Sequence, residues 1–134
     1  MKKLILSILF PFFTFSQCSE GEYPIYMSTT TGEWAYEMAW GLWDYNTWMN
    51  EDFGPENALV FFQGEENFET DNFDACLPST GCYIIAGYDS YGDGWNGNSL
   101  SIMVDGVLLT QHTLSSGYYE EFDLCIPDNE DVCV

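Results

Sequence analysis

Trp34-Ala35-Tyr36-Glu37-Met38-Ala39-Trp40-Gly41-Leu42 decides the fold class. Large apolar or aromatic residues occupy every second position (Trp34, Tyr36, Met38, Trp40, Leu42), with small or polar residues between them. A period of two belongs to a strand with one buried face. Aromatic rings pack well on a pleated surface, and Gly41 would weaken a helix interior, so the stretch reads as a strand. The alternation predicts Trp34, Tyr36 and Trp40 in the core.

Outward from this strand, the same logic recurs. Ala58 to Gln63 is a short apolar run suited to a buried strand, and Cys82 to Tyr88 and Ser99 to Val104 flank a glycine-rich loop. Asp105-Gly106 between Val104 and Val107 is a strong hairpin signal. Val107 to Thr113 and Tyr118 to Cys125 follow as strands. About eight short strands with polar or glycine-rich connections predict an all-β fold, an antiparallel, jelly-roll-like β-sandwich.

A faint internal repeat runs through it. Phe73-Asp74-Ala75-Cys76-Leu77-Pro78 matches Phe122-Asp123-Leu124-Cys125-Ile126-Pro127 at an offset of 49 residues. The same offset aligns Gly32 with Gly81, Trp34 with Tyr83 and Asp44 with Asp93. Two units, 32–78 and 81–127, are each too small to bury a core alone, so one shared domain over 17–134 is expected.

The charge distribution is one-sided. Lys2 and Lys3 are the only basic side chains besides His112, against 22 Asp and Glu. Residues 1–16 combine those lysines with an apolar run from Leu4 to Phe15 and a small-residue exit, the pattern of a secretory signal peptide cleaved before Gln17. The remaining chain has no Lys or Arg to pair its carboxylates, which repel one another and call for salt or a bound cation. Nucleic acid and anionic membrane surfaces are excluded as partners on the same ground. The expected location is secreted, extracellular or at the cell surface.

Cys18, Cys76, Cys82, Cys125 and Cys133 lie beyond the leader. Their spacing lacks the paired C-x2-C knuckles of a zinc site, so disulfides are expected. Two bridges leave one cysteine over, available for an intermolecular bond. If Cys82 opens a strand and Cys125 ends its antiparallel neighbour, a Cys82–Cys125 bridge fits. Cys76–Cys82 is the rival pairing.

Asp89-Ser90-Tyr91-Gly92-Asp93-Gly94-Trp95-Asn96-Gly97-Asn98 carries the chemistry. Its glycines permit a tight irregular loop, and Asp89, Asp93, Asn96 and Asn98 supply oxygens suited to Ca²⁺. It is no EF-hand, because Tyr91 and Leu100 stand where that loop needs ligands. The competing reading has the Asp and Asn side chains capping their own backbone. Trp43, Tyr45, Trp48, Tyr91 and Trp95 lie in or beside predicted loops, where rings could stack on sugars or, on the competing reading, complete the core of a small domain. Catalysis finds little support: His112 is the single histidine, there is no G-x-S-x-G elbow, and Asp89 and Asp93 are too close in sequence to straddle a sugar.

Gly81-Cys82-Tyr83, Asp89 to Gly97, the Val104-Asp105-Gly106 turn and Phe122 to Pro127 together resemble the "DSYGDGWNG" repeat of large secreted and cell-surface proteins of bacteria and marine microbial eukaryotes. Glu33 to Trp43 and Cys76-Leu77-Pro78 resemble the segment that precedes that repeat. The resemblance implies a non-catalytic β-sandwich accessory module with no assigned chemistry. The expected function is therefore calcium-assisted adhesion to glycan or extracellular matrix, not enzymatic turnover. A protein-docking module of a larger surface assembly is the alternative, and a small glycoside hydrolase is the last option.

Overall fold

A computed structural model describes residues 18–78, 80–104 and 106–126. The expected leader, Gln17, Ser79, Asp105, Pro127 and Cys133 lie outside those residues. Eight strands appear in chain order: β1 (Tyr23–Thr30), β2 (Met38–Asp44), β3 (Val60–Gln63), β4 (Thr70–Leu77), β5 (Gly81–Asp89), β6 (Ser99–Val104), β7 (Val107–His112) and β8 (Tyr119–Ile126). A 3-10 turn, Ala35–Glu37, precedes β2; a short helix α1 (Tyr45–Met49) and a second 3-10 turn, Pro55–Asn57, follow it. Two four-stranded antiparallel sheets, ordered β4-β1-β6-β7 and β3-β2-β5-β8, pack face to face as the expected sandwich.

The core lies between the sheets because each strand alternates. Ile25, Met27, Leu77, Leu100 and Ile102 project from one sheet; Met38, Trp40, Leu42, Tyr83, Ile85 and Leu124 meet them from the other. Burying each such side chain contributes about 1.5–3 kcal/mol relative to exposure. The Trp40 indole N–H donates to Thr29 Oγ1 at 2.7 Å, so this core ring leaves no polar atom unmet.

β1 was not among the strands expected, although Ile25, Met27 and Thr29 alternate inward. Pro24 argues against an interior strand, since it cannot donate to a ladder. The structure accommodates it by stagger. Pro24 stands opposite Cys76 of β4, while pairing with β6 begins only at Tyr26. Pro24 therefore has a strand on one side alone.

The strand expected over 34–42 begins four residues late. Its inward phase holds for Met38, Trp40 and Leu42, but Trp34 has a φ of 64° and sits outside the ladder. Trp34 and Tyr36 are exposed, not core. The reason is the partner: β5 ends at Asp89 opposite Met38, so upstream residues have no strand to pair with.

β2 is buried on both faces. On its outer side Trp43, Trp48, Ile84 and Ala86 form a second apolar cluster. The Trp43 ring lies where a Cβ on Gly41 would be, which explains the glycine. Trp43 donates to the Gly54 carbonyl at 3.2 Å, and Trp48 packs between Trp43 and Phe53 with ring centroids 5.1 and 4.6 Å away.

Under the 49-residue offset β4 and β8 correspond residue for residue, and each is an outer strand of a different sheet. β2 and β5 do not correspond, and both sheets draw strands from both units. Exposed Asp74 on β4 and Glu120, Glu121 and Asp123 on β8 put charge on these outer strands, which discourages edge-to-edge pairing.

Antiparallel register sorts the connections. Thr30 pairs with Thr70 and Ser99, Met38 with Asp89, Ala39 with Gln63, and Tyr88 with Tyr119. The loops 31–37, 64–69, 90–98 and 113–118 therefore share one end of the sandwich. The cysteines occupy the other. Cys18 is bonded to Cys76, which removes the Cys76–Cys82 pairing. Cys82 and Cys125 stand opposite each other in register, and both are disulfide-bonded.

Candidate functional site

The glycine-rich loop is built around one carboxylate. Asp89, the last residue of β5, is 2% exposed. Its Oδ2 accepts the N–H groups of Gly92 at 2.8 Å and Gly94 at 2.7 Å, and its Oδ1 accepts that of Tyr91 at 3.2 Å. The capping role considered for this loop is thus the one Asp89 performs. Gly92 and Gly94 have φ of 91° and 90°, and side chains there would run into the Tyr118 ring and the Leu114 carbonyl.

Glu37 and Asp93 complete the site. The 3-10 turn brings Glu37 alongside the loop, where its backbone carbonyl accepts Ser90 N–H at 2.8 Å. One carboxylate oxygen from each of Glu37, Asp89 and Asp93 lies within 4.8 Å of the others. Desolvation and the charges of Asp93 and Asp89 push the Glu37 carboxyl above the ordinary glutamate range; a hydrogen bond from Tyr36 opposes them. No lysine or arginine lies among the described residues to neutralise the group. This partly buried acidic triad could hold a metal ion, and its all-oxygen donor set suits a hard cation.

The expected ligands divide. Asp89 and Asp93 come together, while Glu37, which was not expected, joins them. Asn96 is exposed beside the triad, its Nδ2 donating to Asp93 Oδ1 at 3.4 Å. Asn98 is buried and its side-chain oxygen accepts the Gly32 N–H, tying the loop to 31–37. That bond, and Thr113 Oγ1 donating to its carbonyl at 2.7 Å, make Asn98 a brace between loops instead of a ligand.

Of the two readings of the aromatic residues, core packing holds for Trp43, Trp48 and Trp95. Trp95 is 1% exposed, its indole N–H donates to the Tyr88 carbonyl at 2.8 Å, and its ring covers Gly87. It offers no face to a sugar. Trp43 and Trp48 are enclosed in the outer cluster, for the reasons given above. Tyr45 is exposed, but it lines a cavity of about 390 Å³ with Asp44, Asn46, Pro78 and Thr80 at the opposite end. Asp44 there caps α1, accepting from Thr47 N–H at 3.0 Å and Thr47 Oγ1 at 2.6 Å. Partial burial raises its pKa, but these bonds outweigh burial and hold it below the ordinary aspartate range.

Tyr91 is 69% exposed at the triad end. Trp34, Tyr36, Phe68 and Tyr118 are exposed on the loops of that same end. Trp34 and Tyr36 make an edge-on pair with centroids 6.1 Å apart. Trp34 and Phe68 both adopt left-handed φ, 64° and 59°, an unfavourable state for bulky side chains. Hydrogen bonds hold them there: Ala35 N–H to Asn67 Oδ1 at 2.9 Å, Thr31 Oγ1 to the Glu66 carbonyl at 2.8 Å, and Phe68 N–H to the Gly32 carbonyl at 3.2 Å.

His112 is half-buried at the β7/β8 seam, stacked on Phe122 with centroids 4.1 Å apart and 3.2 Å from Thr110 Oγ1. It serves packing between the sheets. No protein-family model matches this chain, and no curated protein or solved structure does either.

Proposed function

We propose that this chain is an exported, non-catalytic binding module whose β5–β6 loop end takes up Ca²⁺ and engages glycan or extracellular matrix. The convergence of Glu37, Asp89 and Asp93 carries the reading: three carboxylates share a small volume with no basic side chain among the described residues. Three carboxylates, supplemented by loop carbonyls and water, fit the high, flexible coordination of calcium better than the strict octahedron of magnesium. Asp89 would anchor the loop in either state, and Glu37 and Asp93 would supply the responsive ligands. The Cys18–Cys76 bond is consistent with the oxidising environment of an exported protein.

Ligand contact falls to the exposed rings of that end, Tyr91 with Trp34, Tyr36, Phe68 and Tyr118. An apolar ring face against a sugar ring, with carboxylates or a bound cation meeting its hydroxyls, is a chemistry these groups supply. Calorimetry with CaCl₂ on wild type, Glu37→Gln and Asp93→Asn tests the cation, and a glycan array read with and without chelator tests the ligand. Calcium heats in wild type that vanish in both variants, with glycan signals lost in Tyr91→Ala, are expected. Equal heats in all three proteins would remove the cation from the account. A blank array beside a specific protein partner would replace adhesion with docking.

A further inference from the structure

We propose that Asn96 is a site of spontaneous deamidation, and that its product adds a carboxylate beside Glu37, Asp89 and Asp93. Asn96 is the one asparagine in the chain followed by glycine. It lies at the tip of a tight turn, Trp95 to Asn98, closed by Asn98 N–H donating to the Trp95 carbonyl at 2.9 Å. Asn96 and Gly97 both have positive φ, 53° and 87°, as a type I′ turn requires. Nothing lies within 4 Å of where a Gly97 side chain would project, and Asn96 and Gly97 are both exposed, so water reaches the pair. Among the described residues Gly97 N–H has no hydrogen-bond acceptor, and the Asn96 amide holds only the long contact to Asp93.

The neighbouring Asp93-Gly94 peptide shows the opposite arrangement. Its Gly94 N–H is held at 2.7 Å by buried Asp89, which keeps that nitrogen from attacking its own preceding side chain. Asn67 and Asn98 are likewise restrained, their side-chain oxygens accepting the Ala35 and Gly32 N–H groups. Asn96-Gly97 is the place where a reactive pair meets a backbone N–H that no acceptor among the described residues holds.

The chemistry needs only water. The Gly97 backbone nitrogen gives its proton to solvent and attacks Asn96 Cγ. The new C–N bond closes a five-membered imide as Nδ2 takes a proton and leaves as ammonia. Water then opens the ring at either carbonyl, leaving an aspartyl or an isoaspartyl residue in place of Asn96. The net change is one water consumed and one ammonia released, without oxidation or reduction. An amide donor facing Asp93 becomes a further like charge, which crowds the triad when no cation is bound and can ligate one that is. That consequence rests on the cation reading above; the deamidation does not.

Disulfide-intact protein held at mildly alkaline pH in chelator, cleaved after glutamate and mapped by site-resolved mass spectrometry, tests the proposal. Asn96 gains the mass of an amide-to-acid conversion and yields aspartyl and isoaspartyl forms, while Asn67 and Asn98 stay intact and Asn96→Gln shows no gain. An unchanged Asn96, or equal conversion at the other asparagines, overturns it. Asn96→Asp separates the consequence: it melts below wild type in chelator and gains a larger upward shift with CaCl₂. Melting identical to wild type in both conditions overturns the link to the triad. A lower melting point in chelator with no calcium response in either protein keeps that link and defeats the cation reading instead.

Discussion

The Glu37 carbonyl accepts the Ser90 backbone N–H at 2.8 Å, one step beyond the last β2–β5 pair, Met38 opposite Asp89. This bond lies where the ladder ends and the loops begin. Register thereby joins a carboxylate from the turn before β2 to one at the end of β5 and one from the loop that follows it.

Asp89 holds three backbone donors in a buried position. Removing the acceptor leaves those N–H groups unmet, each costing about 1–3 kcal/mol when it stays out of water. Asp89→Ala is expected to lower unfolding free energy by several of these increments in urea denaturation, with or without calcium. A loss seen only in calcium would make Asp89 a ligand and nothing more.

Trp95 and Trp34 should separate core from surface. Trp95→Ala removes a buried ring and is expected to cost about 3–5 kcal/mol. Trp34→Ala removes an exposed ring in a strained conformation, so its stability should stay within about 0.5 kcal/mol of wild type while ligand binding falls. Denaturant midpoints for the two variants check this. Similar losses in both would place Trp34 in the core after all.

Burial holds the His112 imidazole below its ordinary pKa of 6.5. The folded state therefore favours the neutral ring, and the unfolded chain binds the proton more readily. Stability from this group is complete above the unfolded value and declines as pH falls from about 6.5 through the folded pKa. His112→Gln should flatten that part of a stability-against-pH curve. A curve of unchanged shape would assign the acid limb to other groups.

The Cys18–Cys76 bond closes a loop across 58 residues. On the chain-entropy account, losing it costs about 4 kcal/mol through the unfolded state. The double variant Cys18→Ser/Cys76→Ser should show that drop in unfolding free energy with calcium binding retained, because the bond and the triad lie at opposite ends. Loss of calcium binding at unchanged stability would contradict that separation.

Period-two alternation made the sandwich legible, because Met38, Trp40 and Leu42 keep their inward phase whatever happens upstream. Where that strand stops was not legible, since its limit is set by the length of β5, a partner far along the chain. Asp89 and Asp93 showed themselves through the glycines around them. Glu37 did not, because only the Met38–Asp89 register brings it to the loop. Trp95 stays open between core and ligand face in the sequence for a physical reason: a loop residue can close the core in space, and Gly87 is the vacancy its ring fills. Trp43 and Trp48 stay open likewise, because an outer sheet face can carry a small core of its own under a short helix.

Thermal unfolding of wild type and the Glu37→Gln/Asp93→Asn double variant, in CaCl₂ and in chelator at matched ionic strength, tests the central claim most directly. The expected result is a calcium-induced rise in melting temperature for wild type, absent from the double variant, which in chelator melts no lower than wild type because its like charges are gone. Identical melting of wild type in calcium and chelator, or an equal rise in both proteins, would contradict it.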